Sequence, residues 1–569
     1  MKFFKHNPLQ ILIFLFLIFP FAIGGTEQGS PRSVLEKTAL TERTASTTKY
    51  KRIILASNAP PFHLEKPKKD FVHTNEWKIE PSSGGLVTAV EPVIKSNEEN
   101  VWVFHVTLSD PEYMLTPKED PKLMAIETYK NSGKSNFGLS MVLIELERFD
   151  KFYKGMSNNI LWPAFHNILH KIDVKNEDFN EILKEYREVN KQFAKKIYLR
   201  EIEVVNAKKL LVKTKKYLVN NKKYLMKAKE PFELGFFLHT PFNLTENFVE
   251  KFENFKEKFK NLTKEIIKGM LSFDKVGFQT NKDRDIFVKW AKHFYKKNIL
   301  HKTISKNIII IKIENITPKK GCNLGVYPAT IKIDDFTSIA EKEEIISEAK
   351  KLRDEKMANT LGGGKLFFGV ERFDYTKGIK EKLRAFEKYL EDHPDRVGKD
   401  VLYQIAQDNR GGIGSFKIYH DEIKEIPEEI NKKFQKILED KYGKETDYKP
   451  IIFETEGVNR EELVKRYLAM DIGVVTPVMD GMNLVVKEMI VCNPDAALIL
   501  SEGAGTHHQF TENKLSDNYH LVQDIEDAEA FAQVMHEAVT QPKKVAELSE
   551  YLKENGVEKW SNEFLYGKK

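Results

Sequence analysis

Residues 471–491 read DIGVVTPVMDGMNLVVKEMIV. An apolar run, Ile472–Val475, is followed by Thr476 and Pro477, an Asp-Gly-Met-Asn loop and a second apolar stretch. Gly481 allows a tight turn that brings backbone close to a ligand, and Asn483 can cap a helix. The segment predicts strand, loop and helix, with Glu488 more than one turn past the cap. Glu488 can then face the same cleft as Asp480. Carboxylates accept paired hydrogen bonds from vicinal hydroxyls, a common grip on sugars and ribose. Taken alone, the stretch reads more simply as an amphipathic helix with a solvated glutamate.

A second loop of this kind, GVERFDYTKGIKEK, covers residues 369–382. A strand ends at Glu371-Arg372, and a turn with Asp374, Lys377 and Gly378 opens a helix. Guanidinium, ammonium and free backbone N–H groups at a helix start make a diphosphate site. In isolation, surface salt bridges account for the same residues. After it, IKEKLRAFEKYLEDH repeats Ile379, Leu383, Phe386 and Leu390 at helical spacing, and VLYQIAQ (401–407) reads as the next strand. Strands alternating with helices predict an α/β fold with parallel sheets covered on both faces. Ligands then sit at the carboxyl ends of the strands. A phosphate site beside hydroxyl-gripping carboxylates suits a nucleotide sugar.

The chain has 569 residues, too many for one core, so at least two domains are expected. Lys+Arg (90) nearly balance Asp+Glu (84), and a net charge of +6 is no nucleic-acid footprint. Two cysteines, Cys322 and Cys492, exclude a disulfide scaffold or a Cys-based zinc site. Lys2 and Lys5 precede the apolar run ILIFLFLIFPFAI and then Gly24-Gly25. Residues 1–25 therefore read as a signal peptide, with an uncleaved anchor as the alternative, and the polar residues 26–48 as a disordered linker. Secretion is expected, with no membrane association after cleavage. Sequons at Asn243, Asn261 and Asn315 are compatible with it. In FENFKEKFKNLTKEIIKGML, Phe252, Phe255, Phe259, Leu262 and Ile266 form the core stripe of a helix.

In chain order, SSGGL (82–86), YKGMSNNILWPAFH (153–166), GFFLHTPF (235–242), GFQT (277–280), GVERFDYTKG, AQDNR (406–410), the opening segment and LILSEGAG (498–505) together resemble the trehalose-6-phosphate synthase family. The likeness runs from about residue 50 to 565. It implies a retaining GT-B glycosyltransferase, α/β, with two Rossmann-like domains facing an interdomain cleft. Residues 49–345 would form the acceptor domain and 346–569 the UDP-glucose-binding domain, with the last helix packing back on the first domain. UDP-glucose and glucose 6-phosphate would yield trehalose 6-phosphate and UDP without metal or cofactor. A homo-oligomer is compatible with this.

The resemblance also implies roles. Gly84 and Gly85 fold over the donor, Arg372 and Lys377 neutralise its diphosphate, and Val458 meets the uracil. Leu484, Val485, Val486, Lys487 and Glu488 form the donor-binding helix start, with Glu488 on the ribose. Asp480 holds the donor glucose and His239 lies beside it. Tyr153 and Arg410 clamp the acceptor phosphate, and Trp162 shapes the acceptor pocket. Three positions depart from the family pattern. Ala59 stands where the family has an acceptor-phosphate arginine, Ala207 aligns with an acceptor-binding aspartate that follows a strand, and Gly503 replaces an aromatic residue. Two further readings follow from these losses: a secreted donor-binding pseudoenzyme, or a glucosyltransferase with a changed acceptor.

Overall fold

Two sheets carry the molecule, and their strands come from the apolar runs of the sequence. The computed structural model describes residues 9–13, 53–57, 61–65, 78–81, 90–91, 93–98, 100–107, 121–131, 135–172, 178–207, 232–244, 256–296, 299–314, 316–407, 414–443 and 446–567. The first sheet contains β1 (Leu9–Ile13) and β2 (Ile53–Ala56). A separate hairpin, β3 (Phe62–Glu65) with β4 (Lys78–Pro81), follows. The sheet continues with β5 (Val101–Thr107), β6 (Gly138–Ile144), β7 (Phe232–Phe237) and β8 (Lys275–Phe278). Strands β9 (Ile299–Ser305), β10 (Ile308–Ile313) and β11 (Cys322–Val326) complete it. The order is β6-β5-β2-β1-β7-β8-β11-β10-β9. Pairing is parallel except where β10 runs antiparallel to β11 and β9. Every residue of β2, and six of the seven in β5, is buried, as strands covered on both faces must be.

The start of the apolar N-terminal run has a place in this sheet, and residues 14–23 lie outside the described residues. Leu9–Ile13 pairs with β2 through Gln10↔Ile53 and with β7 through Leu9↔Phe232. A leader cleaved near residue 25 would take this strand away. The expected linker, residues 26–48, lies outside the described residues.

The second sheet is wholly parallel. Its strands are β12 (Leu366–Arg372), β13 (Val401–Gln407), β14 (Ile451–Glu454), β15 (Ile472–Val475), β16 (Ala497–Ser501) and β17 (His520–Val522). The order β14-β13-β12-β15-β16-β17 reverses direction between β12 and β15. That reversal opens a crevice at the carboxyl ends of these two strands. Helix Ile379–Asp392 covers the sheet with Ile379, Leu383, Phe386 and Leu390, all fully buried. Each such side chain contributes roughly 1.5–3 kcal/mol of transfer free energy.

Two expectations need correction. Ala207 does not follow a strand: it is the last residue of the 29-residue helix Phe179–Ala207. The stretch is rich in Glu and Lys, good helix formers, and lacks Gly and Pro. Asn243 is buried, which leaves no room for a glycan on the folded chain. Asn261 lies on helix Lys256–Leu271, where Phe259, Leu262 and Ile266 form the buried stripe. Asn315, Phe252 and Phe255 lie outside the described residues.

The helix Val557–Tyr566 returns to the first domain. Trp560 Nε1 donates to Tyr327 O at 3.1 Å, and Lys275 Nζ to Phe564 O at 2.6 Å. Phe564 packs edge-on against Phe237 and Tyr327. Cys322 and Cys492 are buried free thiols. No helix among the described residues is long and apolar enough to cross a membrane.

Candidate active site

The crevice between β12 and β15 opens into a cavity of about 280 Å³ between the two domains. The second domain contributes Arg372, Lys377, Val458, Asp480 and Glu488, and the first contributes Trp162, His166 and His239. The domains meet closely at the loop read first from the sequence. A Cβ on Gly481 would stand 2.3 Å from His239 O, so only glycine fits where the Asp480 loop passes the end of β7.

Arg372 ends β12, and Asp374 caps the turn Tyr375–Lys377 by accepting from Thr376 N at 3.0 Å. The turn brings the Lys377 ammonium onto Asp480 Oδ2 as an ion pair. Asn483 Nδ2 donates to the same oxygen at 2.9 Å, and Asp480 N donates to Gly503 O at 2.9 Å. Burial alone would lift the Asp480 carboxyl, but Lys377 overrides it and holds it below the usual carboxylate range. The Arg372 guanidinium stands 3.7 Å from Asp374 and 5.8 Å from the Trp162 ring centre. Both cations therefore converge on one wall of the cavity.

The opposite wall begins in a π-helix, Lys151–Leu161. Its wide winding leaves carbonyls that Ser157 Oγ and Asn158 Nδ2 bond at Phe152 O (2.9 Å) and Tyr153 O (2.7 Å). π-turns are rare and recur at functional sites. The chain then tightens into Trp162–Phe165. Trp162 Nε1 donates to Asp374 Oδ1 at 3.4 Å, joining the two domains. His166 Nδ1 lies 2.7 Å from Trp162 O. Since a carbonyl only accepts, Nδ1 carries the proton and Nε2 is bare. Burial pushes His166 down to about 4, and burial and then Arg372 push His239 down to about 3. Both rings are neutral near pH 7.

The helix Leu484–Cys492 divides its residues by face. Leu484, Val485 and Glu488 line the cavity, as the four- and three-residue spacings of Leu484 and Val485 from Glu488 allow. Tyr467 Oη donates to Glu488 Oε2 at 2.7 Å, and burial raises the Glu488 carboxyl. Val486 and Lys487, expected in the donor site, have side chains turned away from it. Val486 is core, and the buried Lys487 ammonium bonds Ala329 O of the first domain, where burial lowers it to about 7. Tyr153 is also outside the cavity wall, stacked on Phe149 with ring centres 5.3 Å apart. Gly84, Gly85, Ala59 and Arg410 lie outside the described residues. The sequence reading missed His166 and Tyr467. His166 was signalled by its place four residues after Trp162, on the same helical face. Among the described residues no group of three or more His, Cys, Asp or Glu side chains is arranged to hold a metal ion.

A sequence model of glycosyltransferase family 20 matches residues 51–567. Alpha,alpha-trehalose-phosphate synthase [UDP-forming] 1 of Caenorhabditis briggsae is 34% identical over 577 residues, covering 90% of this chain and 40% of its own length. The chain thus spans about two-fifths of that nematode relative. The 56 kDa subunit of the synthase from Saccharomyces cerevisiae is 30% identical, covering 80% of this chain and 81% of its own. Among solved structures, that of E. coli trehalose-6-phosphate bound with UDP-2-fluoro glucose superposes with a TM-score of 0.64 at 22% identity, over 91% of this chain and 98% of its own. A Burkholderia xenovorans synthase in complex with glucose-6-phosphate also reaches 0.64, at 23% identity, over 86% and 96%. The shared architecture is the two-domain GT-B fold.

Proposed function

The chain belongs to glycosyltransferase family 20, and from that premise we propose that it transfers glucose from UDP-glucose to glucose 6-phosphate with retention, giving trehalose 6-phosphate and UDP. The observation that carries this reading is the interdomain cavity in which Arg372, Lys377 and Asp480 face Trp162 and His239. The relatives named as UDP-forming synthases support it, as do the similar structures that hold a UDP-glucose analogue and glucose-6-phosphate.

In this reading Arg372 and Lys377 draw the diphosphate to the end of β12, and Glu488 takes the ribose hydroxyls. Asp480 takes hydroxyls of the glucose. The bond between C1 and the diphosphate oxygen breaks with its electrons going to UDP. The acceptor hydroxyl attacks C1 from the face the diphosphate leaves, and its proton passes to the departing phosphate oxygen. Configuration is kept and no side-chain base is needed. The two cations supply the charge that develops on UDP, so the work of the site is positioning and electrostatic stabilisation. Neutral His239 offers the glucose a hydrogen bond without adding charge.

A second reading is favoured by one observation. Two expected acceptor contacts are alanines, and one of them, Ala207, ends a helix instead of following a strand. A donor-binding protein without efficient transfer fits that loss. Purified full chain should release UDP from UDP-glucose faster with glucose 6-phosphate than without it. UDP binding with no stimulation by the acceptor would select the donor-binding reading.

A further inference from the structure

Beside the two cations lies a polar cluster that the site chemistry has not used; of its side chains Lys382, Gln404 and Glu371, the last also lines the cavity. Lys382, on helix Ile379–Asp392, has no solvent exposure. Its ammonium donates to Glu371 Oε1 at 2.7 Å, Gln404 Oε1 at 3.1 Å and Val474 O at 3.0 Å. Gln404 Nε2 returns a bond to Glu371 Oε2 at 2.6 Å and another to Ile405 O at 2.8 Å. All three donors of the lysine are used, and both carboxylate oxygens of Glu371 are occupied. A Cβ on Gly369 would stand 2.5 Å from Gln404 Oε1 and 2.8 Å from Lys382 Nζ, so the strand has a glycine where the cluster needs space.

The placement of these partners is specific. Glu371 immediately precedes Arg372 on β12, Gln404 is on β13, and Val474 is on β15, which leads to Asp480. Lys382 N also donates to Gly378 O at 3.0 Å, in the turn that presents Lys377. One buried ammonium thus touches the three strands whose ends build the donor wall, from the helix that begins beside Lys377. We propose that Lys382 is a positioning residue of the donor site: by tying β12, β13 and β15 together it fixes Arg372 and Lys377 in the geometry a nucleoside diphosphate requires. This deepens the glycosyltransferase reading and rests on it.

The alternative is a cluster that only stabilises the core, and the two roles separate experimentally. Removing one member of a buried ion pair strands the other, whereas removing both together is far less harmful. Lys382→Met should therefore lower the melting temperature more than Lys382→Met combined with Glu371→Gln. The positioning role predicts that the double variant, though restored in melting temperature, still binds UDP about tenfold more weakly than wild type, the loss of roughly one charge-assisted contact. Gly369→Ala reaches the same cluster without deleting a charge and should also weaken UDP binding. UDP affinity equal to wild type in both the double variant and Gly369→Ala would overturn the inference. Absence of UDP binding by the wild-type chain would instead overturn the functional reading, and the inference with it.

Discussion

The Lys377 ammonium and the Asp480 carboxylate are paired across the crevice between β12 and β15. A bound donor must share or displace this contact, because the resemblance assigns the diphosphate to one partner and the glucose to the other. Arg372→Ala and Lys377→Ala are each expected to weaken UDP binding by about 1.5–3 kcal/mol, the value of a hydrogen bond to a charged group. Lys377→Ala also leaves Asp480 without its cation. Its carboxyl should then titrate higher than in wild type, which calorimetric proton uptake on binding can read.

Stability should fall with acid well above the usual carboxylate range. Burial holds His166 and His508 to about 4, and burial and then Arg372 hold His239 to about 3, whereas an unfolded chain protonates its histidines near 6.5. Between about 6.5 and 4 the unfolded chain binds more protons than the folded one, so stability rises with pH across that window. Falling pH removes it, and the loss levels off only below the folded values. His166→Phe should shallow the slope of denaturant midpoint against pH by about one proton. An unchanged slope would mean that His166 is accessible to protons in the folded chain.

The acceptor side gives a prediction that the fold has changed. Ala59→Arg is expected to raise trehalose 6-phosphate formation at limiting glucose 6-phosphate and leave UDP affinity alone, since it restores a family cation. Ala207→Asp should change neither product formation nor UDP affinity, because residue 207 ends a helix instead of following a strand. A rise in acceptor affinity from Ala207→Asp alone would contradict this.

The chain starting at residue 26 should melt below the full-length chain. Strands β2 and β7 both pair with Leu9–Ile13, and removing it leaves their facing backbone groups without their ladder partner. N-terminal sequencing of protein from a secretory host shows which form cells make. A start near residue 26 supports the leader, and an intact Met1 supports the strand. Equal melting temperatures would mean β1 adds nothing to the sheet.

Much of the donor site was legible because its residues are local. Arg372 and Lys377 flank one turn, and Asp480, Asn483 and Glu488 follow one strand, so spacing groups the residues of each loop, and the resemblance joins the two loops. Burial of Ile379, Leu383, Phe386 and Leu390 follows from the helical period in the same way. What the sequence hid depends on rotation and distance. Val486 and Lys487 share a motif with Glu488, yet a helix turns consecutive side chains apart, and Lys487 meets Ala329 of the other domain. The Phe179–Ala207 helix was concealed by an alignment that borrowed a strand from the family pattern. The π-helix before Trp162 has no periodic signature of its own. Leu9–Ile13 reads as a leader because apolar runs suit a membrane, a signal-recognition groove and the middle of a sheet alike.

The returning helix Val557–Tyr566 bears on how the chain is made. Trp560 and Phe564 belong to the same buried cluster as Ile53, Leu55 and Trp102, residues synthesised near the start. Domains generally fold as units in the order they leave the ribosome. The cover over Phe237 and Tyr327 comes from a segment translated after the whole of the second domain. A chain ending before residue 557 is therefore expected to expose that apolar surface and to be cut by proteases faster than the full chain.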